Sequence, residues 1–98
     1  MSESSGESTP DFFCYMVQCA DGSYYTGWTT DPVRRARQHN HGTGARYTRM
    51  HAPVVLVYVE QVADRSAAMK REQAIKNLPR QKKIALVEQY QGTHHADR

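Results

Sequence analysis

Four side chains near the start of this sequence, Tyr15, Tyr25, Arg35 and His39, are of the types that handle a phosphoester, and a fifth, Glu72, lies further along the chain. Hydrolysing a phosphodiester needs an activated water, positive charge at the pentavalent phosphorus and help for the leaving oxygen. A guanidinium such as Arg35 grips phosphate through its planar fork. A phenol has an ordinary pKa near 10 and is a poor base at neutral pH unless a neighbouring cation lowers it. Arg35, His39 or a metal ion would favour the phenolate in this way. Glu72 is the only acid inside two basic stretches, Arg34 to Arg49 and Arg65 to Lys83, which hold five and seven of the thirteen Lys and Arg residues. One carboxylate in such surroundings suits a single hard divalent ion, Mg2+ or Mn2+. Each side chain also has an ordinary use: strand tyrosines usually pack across a sheet, and Glu72 has Lys76 at i+4, a helix-surface pair worth only about 0.3–0.5 kcal/mol.

The elements that must position these residues follow from local chemistry. Phe12 to Gln18 and Tyr24 to Thr29 are aromatic and β-branched, and Ala20-Asp21-Gly22 between them is a hairpin signal. A two-residue Asp21-Gly22 loop would set Tyr15 against Trp28 and send Tyr25 to the other side. A three-residue loop with Gly22 left-handed sets Val17 against Tyr25 and Tyr15 against Gly27, so that both phenols share a face with bare Gly27 beside them. Asp31 and Pro32 open a helix over Pro32 to Asn40, with an acceptor at the cap and proline at the first turn. There Arg35 and His39 share a face, Val33 and Ala36 turn toward the sheet, and Arg34 and Arg37 turn outward to meet phosphates. His41 to His51 is a loop in which Arg46, Tyr47 and Arg49 interleave an aromatic ring with positive charge, a pattern suited to stacking on a base while holding phosphates.

Val54 to Val59 is an apolar run that reads as a strand buried on both faces, central in the sheet and the main contributor to the core. Ser66 to Leu78 reads as a helix capped by Asp64 or Ser66 and ended by Pro79, with an apolar stripe of Ala67, Ala68, Ala74, Ile75 and Leu78 and Glu72 at its margin. Arg71 falls inside that stripe without an evident role. Arg80 to Tyr90 reads as a last helix whose basic start sits at the end that prefers acids, which points to an electrostatic use for Arg80, Lys82 and Lys83. Residues 1–10 are Ser- and Glu-rich and are expected to be disordered; residues 11–90 form one domain, and residues 91–98 a polar tail. His94 and His95 have no sequence partners that would make them a metal site. The strand–strand–helix–strand–helix–helix order is α+β, a small antiparallel or mixed sheet flanked by helices.

Composition sets the remaining bounds. Ninety-eight residues with a net charge of +3 make one modest core. No apolar run approaches the roughly 20 residues needed to cross a bilayer, and no secretory signal is visible. Cys14 and Cys19 point to opposite faces of one strand, so they do not pair. A reduced, cytoplasmic chain, with nucleoid association as a refinement, is the simple expectation. The segregated positive charge suggests a polyanion as partner.

The ordered set Tyr15, Tyr25, Arg35, His39, Glu72 resembles the GIY-YIG nuclease domain. Cys14-Tyr15-Met16 stands where that family has GIY, and Tyr25-Thr26-Gly27 where it has YIG; Arg35 falls at the family's arginine and Glu72 at its metal-binding glutamate. The resemblance covers Phe12 to Leu86, and Asn40 to Thr48 is similar to a variant found in small free-standing members. It favours the three-residue hairpin loop, and it implies a three-stranded antiparallel sheet with helices around it. It further implies that a tyrosine aided by histidine activates water, arginine holds phosphate and glutamate holds one Mg2+ or Mn2+ ion, with Tyr15 as base and Tyr25 at the phosphate, or the two exchanged. Cys14 and Met16 depart from the GIY triplet. A further asparagine of many relatives has its nearest counterpart in Asn77, which lies closer to Glu72 than that residue should, so its role is not carried over.

The expected function is a divalent-metal-dependent endonuclease acting on DNA, branched or single-stranded, with RNA as the alternative polymer and no membrane. No DNA-binding domain is appended, so the activity is expected to be weak, nonspecific or dependent on a protein partner that supplies target choice. Beyond the site, Arg34, Arg37, Arg46, Tyr47, Arg49, Lys76, Lys82 and Lys83 are the expected nucleic-acid contacts. A non-catalytic nucleic-acid-binding module on the same fold is the alternative, and a protein-interaction adaptor a third.

Overall fold

The computed structural model describes residues 11–42 and 51–95. The element order is β1 (Phe12–Gln18), β2 (Tyr24–Thr29), α1 (Pro32–Asn40), β3 (Val55–Val62), α2 (Arg65–Lys76) and α3 (Arg80–His95). The three strands form one antiparallel sheet in the order β2-β1-β3, the α+β architecture expected. Residues 1–10, expected to be disordered, and Arg46, Tyr47 and Arg49 lie outside the described residues, as do the side chains of His94 and His95. Among the described residues no helix is long and apolar enough to cross a membrane.

The hairpin takes the three-residue form. Gly22 has φ +89°, a conformation that glycine alone adopts freely, and its N–H donates to the Cys19 carbonyl at 2.9 Å. Asp21 accepts from the Ser23 N–H at 3.0 Å and fixes the loop further. The resulting register pairs Val17 with Tyr25 and Tyr15 with Gly27.

The sequence expectation for the third strand is corrected. β1, not β3, is central: Cys14, Tyr15, Met16 and Val17 are all fully covered, whereas Val55 in β3 is 63% exposed. The apolar run marks β-forming character, but pairing sets a strand's place in the sheet and packing layers bury its faces; β1 has both a partner on each edge and an apolar layer on each face. β3 also carries an irregularity: Met16 faces Tyr58 and Val17 faces Leu56, leaving Val57 as the extra residue of a bulge.

The pleat divides the core into two layers. Cys14 and Met16 face α2 and α3 and pack with Val57, Tyr58, Ala68, Ile75 and Val87. Tyr15, Val17 and Cys19 face the other way, with Val54. The two cysteines are free and lie in opposite layers, as their spacing predicts.

Both caps are carboxylates. Asp31 accepts from the Arg34 N–H at 3.1 Å at the start of α1, and Asp64, not Ser66, accepts from the Ala67 N–H at 2.8 Å at the start of α2; each is worth about 1 kcal/mol. In α1, Val33 turns outward at 55% exposure and His39 is the buried residue, which reverses the expectation that Val33 faces the sheet. Asn40 explains how α1 is held: its amide donates to the Val54 carbonyl at 2.9 Å and accepts from the Val54 N–H at 2.6 Å. That two-point staple draws the end of α1, and His39 with it, onto the Tyr15 layer. α3 runs to His95, five residues past its expected end at Tyr90.

Candidate active site

Tyr15 and His39 meet inside the molecule. The phenol oxygen lies 2.9 Å from His39 Nε2, and the residues are 1% and 0% exposed. The register makes this contact, because it turns Tyr15 toward α1 and sets Gly27 opposite it. Tyr25, on the same face of β2, presents its ring to the edge of the His39 ring with centroids 5.4 Å apart. Arg35, one turn before His39, donates from Nη1 to Gln38 Oε1 at 2.9 Å.

Electrostatics couples these groups. Burial pushes the Tyr15 phenol up to about 12, although a hydrogen bond with Arg35 and its positive charge act in the opposite direction. The expectation that neighbouring cations lower this phenol is corrected: Arg35 does act so, but desolvation is the larger effect. His39 is pushed down to about 4, first by burial and then by Arg35. It is therefore a neutral imidazole at pH 7 and a proton acceptor at one nitrogen.

The helix that carries Glu72 packs on the opposite side of the sheet from Tyr15. α2 packs on the Cys14 and Met16 face, yet the Glu72 carboxylate acts on both the Tyr15 phenol and the Cys14 thiol, which burial pushes up to about 11. α2 runs antiparallel to β2. Arg65, at its start, lies over Trp28, and Lys76, at its end, lines an open hollow of about 290 Å³ with Tyr24, Tyr25, Thr26 and Lys83. Glu72 precedes Lys76 by one turn, about 6 Å along the helix axis, and ion-pairs with it at 3.2 Å. The carboxylate, 22% exposed, thus lies on the β2 side of α2 between Arg65 and Lys76.

The other expected contacts divide. Lys76 and Lys83 line the hollow beside Tyr25. Lys82 is exposed in the first turn of α3. Arg34 and Arg37 are exposed on α1, where with Gln38 and His41 they line a separate shallow hollow of about 280 Å³. Arg71 turns away from all of these. Its Nε donates to both oxygens of Glu60, at 3.0 and 3.1 Å, and the Tyr58 hydroxyl also donates to Glu60. This network joins α2 to β3 and explains an arginine inside an apolar stripe.

Sequence reasoning missed Asn40 as the staple, reading it only as a helix stop, and it missed the pairing of Trp28 with Arg65. The nearest signals are an amide at a helix end beside a strand start, and an aromatic residue opposite a basic helix start.

Comparison with known proteins places the chain among similar ones. Residues 11–85 match the GIY-YIG catalytic domain. A UPF0213 protein of Desulfotalea psychrophila is 56% identical over 79 residues, covering 80% of this chain and 72% of that one. A UPF0213 protein of Haloquadratum walsbyi is 52% identical over 77 residues, covering 79% and 86%. The solution structure of protein EF2693 from E. faecalis is 42% identical, with a TM-score of 0.53 over 94% of each chain.

Proposed function

This chain belongs to the GIY-YIG family, and on that premise we propose that it is a divalent-metal-dependent endonuclease that hydrolyses phosphodiester bonds in DNA. The observation that carries the reading is the Tyr15–His39 contact, with Arg35 and Glu72 both acting on that phenol. A phenol near 12 is not ionised at neutral pH, so a free phenolate is not the base. Neutral His39 accepts the Tyr15 proton at Nε2 as the phenol oxygen takes one from the attacking water. The water oxygen bonds to phosphorus, the leaving oxygen departs and takes its proton from solvent, and His39 later returns its proton to solvent. Tyr15 is covered in the free protein, so the Tyr25 ring, which packs on the edge of His39, moves aside when substrate enters. Tyr25 then faces the phosphate from the hollow it shares with Lys76 and Lys83, and Arg35 holds the scissile phosphate.

The donor set fits a single Mg2+ or Mn2+ ion. Among the described residues no group of three or more His, Cys, Asp or Glu side chains is placed to hold a metal, so the ion would rest on Glu72, water and substrate phosphate, a set Mg2+ accepts. Lys76, exposed and flexible, would release Glu72 to it. When bound, such an ion polarises a phosphoryl oxygen and offsets charge on the leaving oxygen.

The test is cleavage of single-stranded, duplex and branched DNA, and of RNA, with Mg2+ or Mn2+. The expected result is cleavage by the wild type that falls by about 10²–10³ in Glu72→Ala and Arg35→Ala variants that remain folded. No cleavage of any of these substrates overturns the reading. The burial of Tyr15 favours a second reading, a nucleic-acid-binding module without turnover, and salt-sensitive binding without cleavage would establish it.

A further inference from the structure

Resting on that reading, we infer that the β2 edge is a track for an unpaired nucleic-acid strand, with the ring–guanidinium pairs Trp28–Arg65 and Tyr24–Arg80 holding the strand on either side of the site. Arg65 lies 5.5 Å from the centre of the Trp28 ring and Arg80 lies 5.3 Å from that of Tyr24. Tyr24 and Trp28 are four residues apart on the same face of β2, about 13 Å at the ~3.3 Å rise of a strand. Lys76 and Glu72 lie on the α2 side between the two pairs, and Tyr25 joins Lys76 at the strand edge although its side chain belongs to the Tyr15 face, so a strand held at both ends passes along the edge beside the site.

The chemistry selects an unpaired strand. A guanidinium resting on a ring has already lost much of its rotamer freedom, so less entropy is lost when its outer face takes a base or its fork takes a phosphate. Arg80 is held a second time, donating from Nη2 to the Gly22 carbonyl at 3.2 Å. Among the described residues neither Arg65 nor Arg80 ion-pairs with a carboxylate. Their charge is therefore not neutralised within the described chain, although Asp64 caps the helix beside Arg65. A duplex would offer only its phosphates to this edge, because its bases are stacked on one another; an unpaired strand offers bases to the ring–guanidinium platforms as well.

The experiment measures binding of fluorescein-labelled dT12 by anisotropy in EDTA, from 50 to 200 mM salt, for the wild type, Arg65→Ala, Arg80→Ala, the double variant and Lys70→Ala. Lys70 is an exposed cation of α2 that lines the hollow at Glu60 and Arg71 instead. Each track variant is expected to lose several-fold in affinity and to lower the salt slope by about 0.7, the double variant by about 1.4, with Lys70→Ala unchanged. Track variants that keep wild-type affinity and slope, equal losses in Lys70→Ala, or a wild type that binds a blunt duplex more tightly than dT12 overturn the track alone. A wild type that binds neither dT12 nor duplex at 50 mM salt also overturns the track, whereas the nuclease reading falls only if the cleavage assay with Mg2+ or Mn2+ fails.

Discussion

A Cβ added to Gly27 would lie 2.7 Å from the Tyr15 phenol oxygen and 2.9 Å from its Cζ. The glycine of Tyr25-Thr26-Gly27 is therefore the space into which Tyr15 fits, not a source of backbone freedom. Tyr15 is fully buried and cannot swing clear, so Gly27→Ala must displace the ring or part the two strands. The expected cost is about 1–3 kcal/mol in urea unfolding. Nuclease activity is expected to fall more than stability does, because the displaced oxygen leaves His39 Nε2. Full activity in a folded Gly27→Ala protein would separate the contact from the chemistry.

The Tyr15–His39 pair also sets the pH dependence of stability. His39 titrates near 4 when folded and near 6.5 when unfolded, so between these values the unfolded chain binds more protons. Stability from this group is fully present above about 6.5 and is lost as pH falls through about 4, an effect on the order of 3 kcal/mol. Tyr15 works in the opposite sense. Its folded value of about 12 against about 10 unfolded means that stability is lost as pH rises from 10 to 12. Urea unfolding across pH for the wild type and His39→Gln checks the first claim, because the difference between the two curves should change only between about pH 4 and 6.5.

Arg35 lowers both members of the pair. In Arg35→Ala, His39 should titrate above its wild-type value and Tyr15 higher still. NMR of the imidazole protons and ultraviolet titration of the phenol measure the two shifts separately. Unmoved values in a folded variant would mean that Arg35 does not act on the dyad, and any activity loss would then come from phosphate binding alone.

Much of this site is legible in the sequence because its rules are local. Ala20-Asp21-Gly22 marks the turn but leaves two registers open, and the family resemblance favours the one that puts Tyr15 and Tyr25 on one face with Gly27 beside them. A four-residue spacing puts Arg35 and His39 on one side of α1. What is not legible depends on distant partners. VVLVYV shows strand character, but which strand lies between two others is decided by chain reversal after α1, so β3 reads as central when β1 is. The phenol's basicity turns on burial, which has no signature in residue type. Arg71 looks misplaced until Glu60, eleven residues earlier on β3, is brought against it, and Arg65 finds Trp28 across thirty-seven residues.

The Glu60–Arg71 pair sets a structural charge on α2 apart from the charge assigned to the proposed site. Arg71 and Glu72 are adjacent in sequence, but Arg71 holds β3 while Glu72 turns to the β2 edge with Lys76. Arg71→Met keeps the apolar stem and removes the two hydrogen bonds to Glu60, leaving that carboxylate to the Tyr58 hydroxyl alone. Both partners are partly exposed, so the expected cost in urea unfolding is only about 1 kcal/mol. Cleavage and dT12 binding should stay within about twofold of the wild type, since a twofold change corresponds to about 0.4 kcal/mol. Glu72→Gln should do the reverse, with stability nearly unchanged and cleavage lost. If Arg71→Met abolished cleavage at full stability, the reacting surface would extend to the β3 side of α2 and the assignment of the β2 edge would be wrong.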